Sequence, residues 1–486
     1  MSTNVVLMDN RQLIPRWHES SNFYRLQYPG VKREKSSKNI DDIWVYDLKA
    51  RWSTEKNIYS ATDLFVALFT RARFDDIKYK EALDFLLRHY DELPPETKEL
   101  VSKNGDPPFH IDNLNLNYAK IKIKELRRLV NTVPQSSILW VDLAFYYTVL
   151  GEVEKARKAL IVAWNLGKNS SYVAKAYSRF LVHDREPEHA LWVLRKSGFL
   201  EIDPSLCSAS LSISSAFDIP DITVRKARKV LDGYTGDPIY ASDLNAALGS
   251  IEFKSGSVKK AKKYFNDALS RPSENVNSQY AWLQYKYGFE VGGYPVVEKL
   301  SIEADVNMLY KKMEFKLCRD KLLDLYRFQP FTDAPLVDAG YISMLSLEDP
   351  NFVVETSVGR IPLTHMGFGE LNNLVVAKLM LEDYSDLGLH LEILKRKCID
   401  GTDADKAVYL ATCGMSKIKL GDVGLGEELY EGAINFFSSK GYEKQKALAM
   451  YFYAKNIRHY NLEKYNSLMS EALRLAQANR MYELLQ

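Results

Sequence analysis

Cysteine is scarce in this 486-residue chain: there are four, Cys207, Cys318, Cys398 and Cys413, and none sits in a CxxC spacing. That excludes a disulfide framework and a cysteine-based zinc site, and scattered thiols suit a reducing compartment, so a cytoplasmic location is expected. An excess of either charge is also missing. Sixty-five Lys and Arg stand against 63 Asp and Glu, a formal net charge of +2. Bulk electrostatics therefore do not mark a nucleic-acid binder, and any basic surface must be local. No stretch of roughly 18 apolar residues occurs, so no membrane span is expected. The most apolar window, LWVDLAFYYTVL, is too short and contains Asp142. The opening MSTNVVLMDNRQLIPRWH lacks the basic start and long apolar core of a secretory signal. Catalytic signatures are missing too: there is no GxSxG, HExxH or paired Cys/His pattern. GDVGLGEE (421–428) and GFGE (367–370) carry glycines but neither GxGxxG nor a GK[ST] ending, so they do not describe a phosphate cradle. The expectation is a protein that is not an enzyme and needs no cofactor.

What the chain does have is an ordinary globular balance, 46% hydrophobic and 26% charged, which argues against global disorder. It also has an echo. Ala156 and Ala190 are 34 residues apart, as are Ala227 and Ala261, within the phrases KARKALIVAW, HALWVLRKSG, KARKVLDG and KAKKYFNDAL. That period belongs to helix-turn-helix units that stack because no unit can bury its apolar face alone.

Five stretches follow. Residues 1–53 read as an irregular N-terminal segment, with YPGVKREKSSKN a polar loop and IWVYDLKARW (43–52) either a strand or a helix start. Residues 54–112 hold helices: ATDLFVALFTRARF, with Ser60 and Asp63 as a capping pair, then KEALDFLLRHY, then a short ETKELVSK after Pro94-Pro95. Asn104-Gly105 and Pro107-Pro108 form a break. Repeats occupy 113–275, degenerate helical repeats 276–400, and further repeats with a polar cap 401–486. Within the degenerate part, NFVVETSVGRIPLTHMGFGELNN (351–373) is β-branched and glycine-rich and is read as an inserted loop. The expected fold class is all-α, a superhelix of helix pairs.

Counting from Ser137, Trp140 is position 4, Leu143 and Ala144 are 7 and 8, Tyr147 is 11, Gly151 is 15, Ala156 is 20, Leu160 is 24 and Ala163 is 27. This pattern resembles the tetratricopeptide repeat family. Small residues at 8, 20 and 27 let paired helices approach, and large residues at 4, 7, 11 and 24 fill the gaps. The unit from Ser242 matches at Leu248-Gly249, Gly256, Ala261, Phe265 and Ala268, with Asn245 and Glu252 departing from the pattern. The unit from Ser171 keeps Tyr177, Ala190 and Leu194, but Arg185 stands where the turn glycine belongs.

The resemblance implies that first-helix positions 2, 5, 9 and 12 line a concave groove that holds a protein partner. Those positions are Ile138, Val141, Phe145 and Thr148; Tyr172, Lys175, Arg179 and Val182; and Asp243, Ala246, Ser250 and Phe253. The partner-binding residues singled out are Phe145, Thr148, Tyr172, Lys175, Arg179, Ser250 and Phe253. They offer apolar anchors beside two cations, suited to an extended segment with an acidic group. The groove lacks the repeated Lys and Asn of the family's carboxylate clamps. The alternative partner is nucleic acid, held by a basic outer edge of Lys155, Arg157, Lys158, Lys226, Arg228, Lys229, Lys260, Lys262 and Lys263. A solvated helix face explains the same run of charge. HDREPEH (183–189) has ligand-type residues, but its histidines are six apart and no metal is expected.

Overall fold

The computed structural model describes residues 11–17, 40–69, 76–93, 97–98, 101, 116–220, 224–236, 238–270, 272–292, 301–399 and 401–485. Among them the secondary structure is helical throughout, with no strand. A first group comprises α1 (Ile40–Thr54), α2 (Ile58–Phe69) and α3 (Ile77–Arg88). It has its own core, centred on Trp52, Phe65, Leu68 and Leu86. Residues 43–52 therefore lie within a helix, inside the stretch expected to be irregular. The expected capping pair is also displaced by one turn. The Asn57 side chain accepts from the Ser60 amide at 2.9 Å, and the Ser60 hydroxyl accepts from the Asn57 amide at 3.2 Å. Asn57 and Ser60, not Ser60 and Asp63, are thus the reciprocal cap. The polar run 28–39, the break at 104–108 and most of ETKELVSK lie outside the described residues.

The superhelix begins with α4 (Asn117–Thr132). Helix pairs follow: α5 (Ser137–Val149) with α6 (Val153–Leu166), α7 (Ser171–His183) with α8 (Pro187–Lys196), α9 (Pro204–Phe217) with α10 (Val224–Asp232), and α11 (Pro238–Lys254) with α12 (Val258–Ser270). Then come α13 (Glu274–Tyr287), α14 (Ile302–Lys311) and α15 (Phe315–Phe328), α16 (Ala334–Leu345) and α17 (Pro350–Ser357), α18 (Phe368–Met380) and α19 (Leu387–Ile399). The series closes with α20 (Asp403–Lys419) and α21 (Val423–Lys440), then α22 (Glu443–Ile457) and α23 (Leu462–Ala478). First helices stack on first helices: α5 on α7, α7 on α9, α9 on α11, and later α16 on α18 on α20 on α22. This is an all-α helical-repeat superhelix.

Small-against-large packing holds the pairs together. Ala156, Ala190, Ala227 and Ala261 are fully buried, as are Ala163, Ala268, Leu160 and Phe265. A Cβ on Gly249 would lie 2.8 Å from the Phe265 ring. At the α20–α21 crossing, a Cβ on Gly414 would meet the Gly426 carbonyl at 2.9 Å, and one on Gly426 would meet the Gly414 carbonyl at 2.8 Å. Close backbone contact there depends on hydrogen in place of a side chain.

The degenerate middle keeps the turn geometry after losing its glycines. Gly151, Gly256 and Gly421 adopt positive φ between first and second helices, and so do Arg185 (φ 65°), Met313 (φ 60°), Glu348 (φ 48°) and Glu382 (φ 57°). Met313, Glu348 and Glu382 are spaced 35 and 34 residues apart. Helix pairing therefore imposes the left-handed turn on residues that disfavour it by about 1–2 kcal/mol.

Residues 351–373 are not one inserted loop. Asp349 caps α17 by accepting from the Phe352 amide at 3.2 Å, Pro350 fills the first turn, and Phe352, Val353, Thr356 and Ser357 are buried. The connection proper is 358–367. β-Branched residues that look like loop or strand in isolation become helical because they pack against α16 and α18.

Candidate functional site

The expected groove residues lie on the stacked first helices, and most are already covered. Part of the cover is the chain's own segment Arg11–Trp17, which lies without regular secondary structure across the inner helices. Trp17 is 2% exposed. Its ring meets Phe145 of α5 edge-on at 5.4 Å, Phe180 of α7 at 6.4 Å and Phe331 at 6.2 Å. Leu13 is buried in a cluster with Leu211 of α9 and Leu244 of α11. Arg11 reaches α13 and α14. The segment therefore runs antiparallel to the order of the repeats, spanning about 20 Å for seven extended residues.

Its polar contacts converge on α13 and α14. Arg11 donates to Glu303 Oε1 at 2.6 Å and Oε2 at 3.1 Å, to Gln279 Oε1 at 2.9 Å and to Asn275 Oδ1 at 2.7 Å. Arg16 pairs with Glu303 and Glu274 and donates to Ser278 Oγ at 3.2 Å. Asn275 and Gln279, one helical turn apart, also take hold of main chain: Asn275 Nδ2 donates to the Ile14 carbonyl at 3.3 Å and Gln279 Nε2 to the Arg11 carbonyl at 3.4 Å. Burial alone would raise the Glu303 carboxyl, but the guanidiniums of Arg11 and Arg16 outweigh it and hold the group down at about 2. Burial lowers Arg16 to about 10, against the pull of Glu303.

The other side of this track is closed by later repeats. Phe331, between α15 and α16, packs on Phe145 at 6.1 Å and receives the Arg179 guanidinium at 4.8 Å. His365 Nδ1 donates to the Leu150 carbonyl at 3.2 Å, and Arg185 approaches Asp405 at 3.8 Å. Burial lowers Arg179 to about 10 and, with Arg179 and Arg185 adding to it, lowers His183 to about 4.

The structure thus sorts the expected partner-binding residues. Phe145 and Arg179 lie beneath Trp17 and Phe331. Thr148 is buried and donates to the Ala144 carbonyl at 2.9 Å. Ser250 accepts from Gln279 at 3.2 Å, beside the Arg11 end, and Phe253 packs on Tyr287 and Phe289. Of the remaining groove positions, Val141 and Ala246 are buried, Ile138 is exposed, Val182 is half-buried, and Asp243 accepts from the Ser273 hydroxyl at 2.6 Å. Tyr172 and Lys175 are different. They line an open cleft of about 390 Å³ with Arg16, Trp17, Ile202 and Tyr240. Lys175 Nζ donates to Ser205 Oγ at 2.6 Å there.

The basic edge is partly neutralised. Lys155 pairs with Glu152 at 2.5 Å, Arg157 with Asp184 and Glu186, Lys226 with Glu201 at 2.7 Å and Arg228 with Glu252. Lys158, Lys229, Lys260, Lys262 and Lys263 are exposed. In HDREPEH, Glu186 is taken by Arg157 and by His189 at 3.0 Å. Among the described residues no cluster of three or more His, Cys, Asp or Glu has metal-site geometry, and no helix is long and apolar enough to cross a membrane.

Sequence reasoning missed Arg11, Arg16, Trp17 and their receptors Glu274, Asn275, Gln279 and Glu303. A signal was present: RQLIPRW sets two arginines around an apolar centre in a stretch with no helical period, while Glu274 and Glu303 stand on inward helices far along the chain. No protein-family profile matches the chain, and a comparison with curated proteins finds no match.

Proposed function

We propose that this chain is a non-catalytic scaffold or adaptor, built from repeats of the tetratricopeptide kind, that holds an extended segment of a protein partner along its inner groove as a subunit of a larger complex. One observation carries this reading. Residues 11–17 already lie there as an extended peptide, gripped through side chain and main chain by helices from α5 to α14. Rigid helices that present convergent donors, acceptors and aromatic walls are what a peptide receptor requires. The cleft of about 390 Å³ at Tyr172 and Lys175, beside Arg16 and Trp17, supports the reading as a concave foothold for the partner.

The test is affinity capture at native expression level with Tyr172→Ala and Lys175→Glu together. The reading expects the co-eluting protein to be lost while the melting temperature holds. Unchanged recovery would place binding away from this groove. The nucleic-acid reading has less support, because Lys155, Arg157, Lys226 and Arg228 are engaged by acidic neighbours.

A further inference from the structure

We infer that the groove is a receptor for an extended peptide bearing two guanidiniums around an apolar centre, and that residues 11–17 are its resident, displaceable occupant. This rests on the reading of the groove as a peptide-binding surface and specifies the partner's chemistry. A partner segment of that kind binds by taking the place of the arm.

Charge complementarity on buried ground carries the argument. Glu303 is 5% exposed and Asn275 7%, so the floor of the track is a carboxylate and amides held away from water. An ionised carboxylate at such depth demands a cation, and Arg11 and Arg16 supply it from another part of the chain. The bidentate Arg11–Glu303 contact is specific to a guanidinium; an ammonium cannot reproduce its fork. Asn275 and Gln279 recognise main-chain carbonyls, which any extended peptide presents. Leu13 and Trp17 fill pockets between helices, a further demand for apolar and aromatic side chains.

The arm also fits incompletely. Gln12 Nε2 and Trp17 Nε1 are buried with no hydrogen-bond partner among the described residues. A segment without an unpaired donor at the position of Gln12 Nε2 would avoid that desolvation cost. Arg16 and Trp17 also line a cleft of about 390 Å³ together with Tyr172 and Lys175 of the first helices.

The test uses a fluorescent, end-blocked peptide of sequence RQLIPRW and measures anisotropy with the full chain. In the wild type the tethered arm competes at an effective concentration in the millimolar range. The chain carrying Arg11→Ala and Trp17→Ala is therefore expected to bind the peptide at least tenfold more tightly than wild type. Replacing both peptide arginines by lysine, or adding Glu303→Gln to the protein, is expected to weaken that binding by roughly a hundredfold. Equal affinity for a scrambled peptide, or no binding by a variant whose helical circular dichroism is native, overturns the inference. If the variant does not fold, hydrogen exchange of residues 11–17 in the wild type decides. Excess peptide should raise exchange of the arm, and unchanged exchange refutes displacement. A dimer that grows with concentration and vanishes in the arm variant would assign the groove to a second copy of this chain and refute a foreign partner. Failure of the peptide with continued dependence of partner capture on Tyr172 and Lys175 would sink this inference and leave the scaffold reading standing.

Discussion

Glu303→Gln is the most informative single change, because one carboxylate holds both arginines of the arm. The substitution keeps shape and removes charge. Arg16 retains Glu274, and Arg11 retains Asn275 and Gln279, so the arm loses part of its anchorage. A carboxyl held at about 2 instead of its usual 4.5 corresponds to about 3 kcal/mol, at ~1.4 kcal/mol per decade. That agrees with the ~3–5 kcal/mol lost when one member of a buried pair is removed. The cost should fall on the arm alone, since the repeats keep their own cores. About 3 kcal/mol raises the undocked population by roughly a hundredfold. Trypsin reads this directly. The Arg16–Trp17 bond is shielded while Trp17 is packed, and cleavage in the fast-closing regime follows the open population. Mass spectrometry of the released N-terminus should therefore show cleavage after Arg16 accelerated by about two orders of magnitude. A rise below about fivefold would refute the claim that Glu303 anchors the arm. The pH dependence has a fixed sign. A lowered carboxyl stabilises fully above its unfolded value and loses that contribution as pH falls toward the folded one. Hydrogen-exchange protection of residues 11–17 should be flat down to about 4.5 and weaken below it. Protection that instead rises as the solution is acidified would show that Glu303 is not the governing group.

Further outcomes follow from packing and charge. Gly426→Ala puts a Cβ 2.5 Å from Ile418 Cγ1 and 2.8 Å from the Gly414 carbonyl, and should cost about 1–3 kcal/mol in a thermal melt. Gly424→Ala, with nothing within 4 Å, should be neutral or slightly stabilising. Arg360 Nη2 contacts both carboxylate oxygens of Glu370 and Nη1 donates to Tyr326 Oη at 2.7 Å, all buried. Arg360→Ala should lower the urea midpoint by an amount equal to about 3–5 kcal/mol, while Arg360→Met with Glu370→Leu should recover most of it. Reversing Lys260, Lys262 and Lys263 to Glu should leave stability within about 0.5 kcal/mol per site. Nucleic-acid retention that falls steeply with salt in the parent and vanishes in this variant would revive the outer edge as a binding surface.

The parts of the fold legible in the sequence are those set by local size. Ala156 and Leu160 announce a helix pair as a small and a large residue at its buried crossing, and Gly151 marks the turn between the helices, where φ is 70°. The middle repeats were harder. Met313, Glu348 and Glu382 give no sign of a left-handed turn, since the constraint comes from the helices on either side and not from the residue. Phe352 and Val353 misled for a similar reason: their helix is stabilised by neighbours, against their own preference. The positions expected to line the groove fall on the first helices, but the segment that lies across them gave no periodic signal. Arg11 meets Glu303 across 292 residues of chain, and no periodicity carries a contact of that range.

The meeting of early and late repeats alters how the molecule comes apart. An open solenoid behaves as a row of neighbours and can fray from either end. Here Phe331 against Phe145 and His365 against Leu150 fasten one turn of the coil to the next. Melting the first pairs strips the later connections of their support, and the reverse holds too. The denaturation curve should accordingly be steeper than a sum of independent units, as in a spring whose loops have been soldered together.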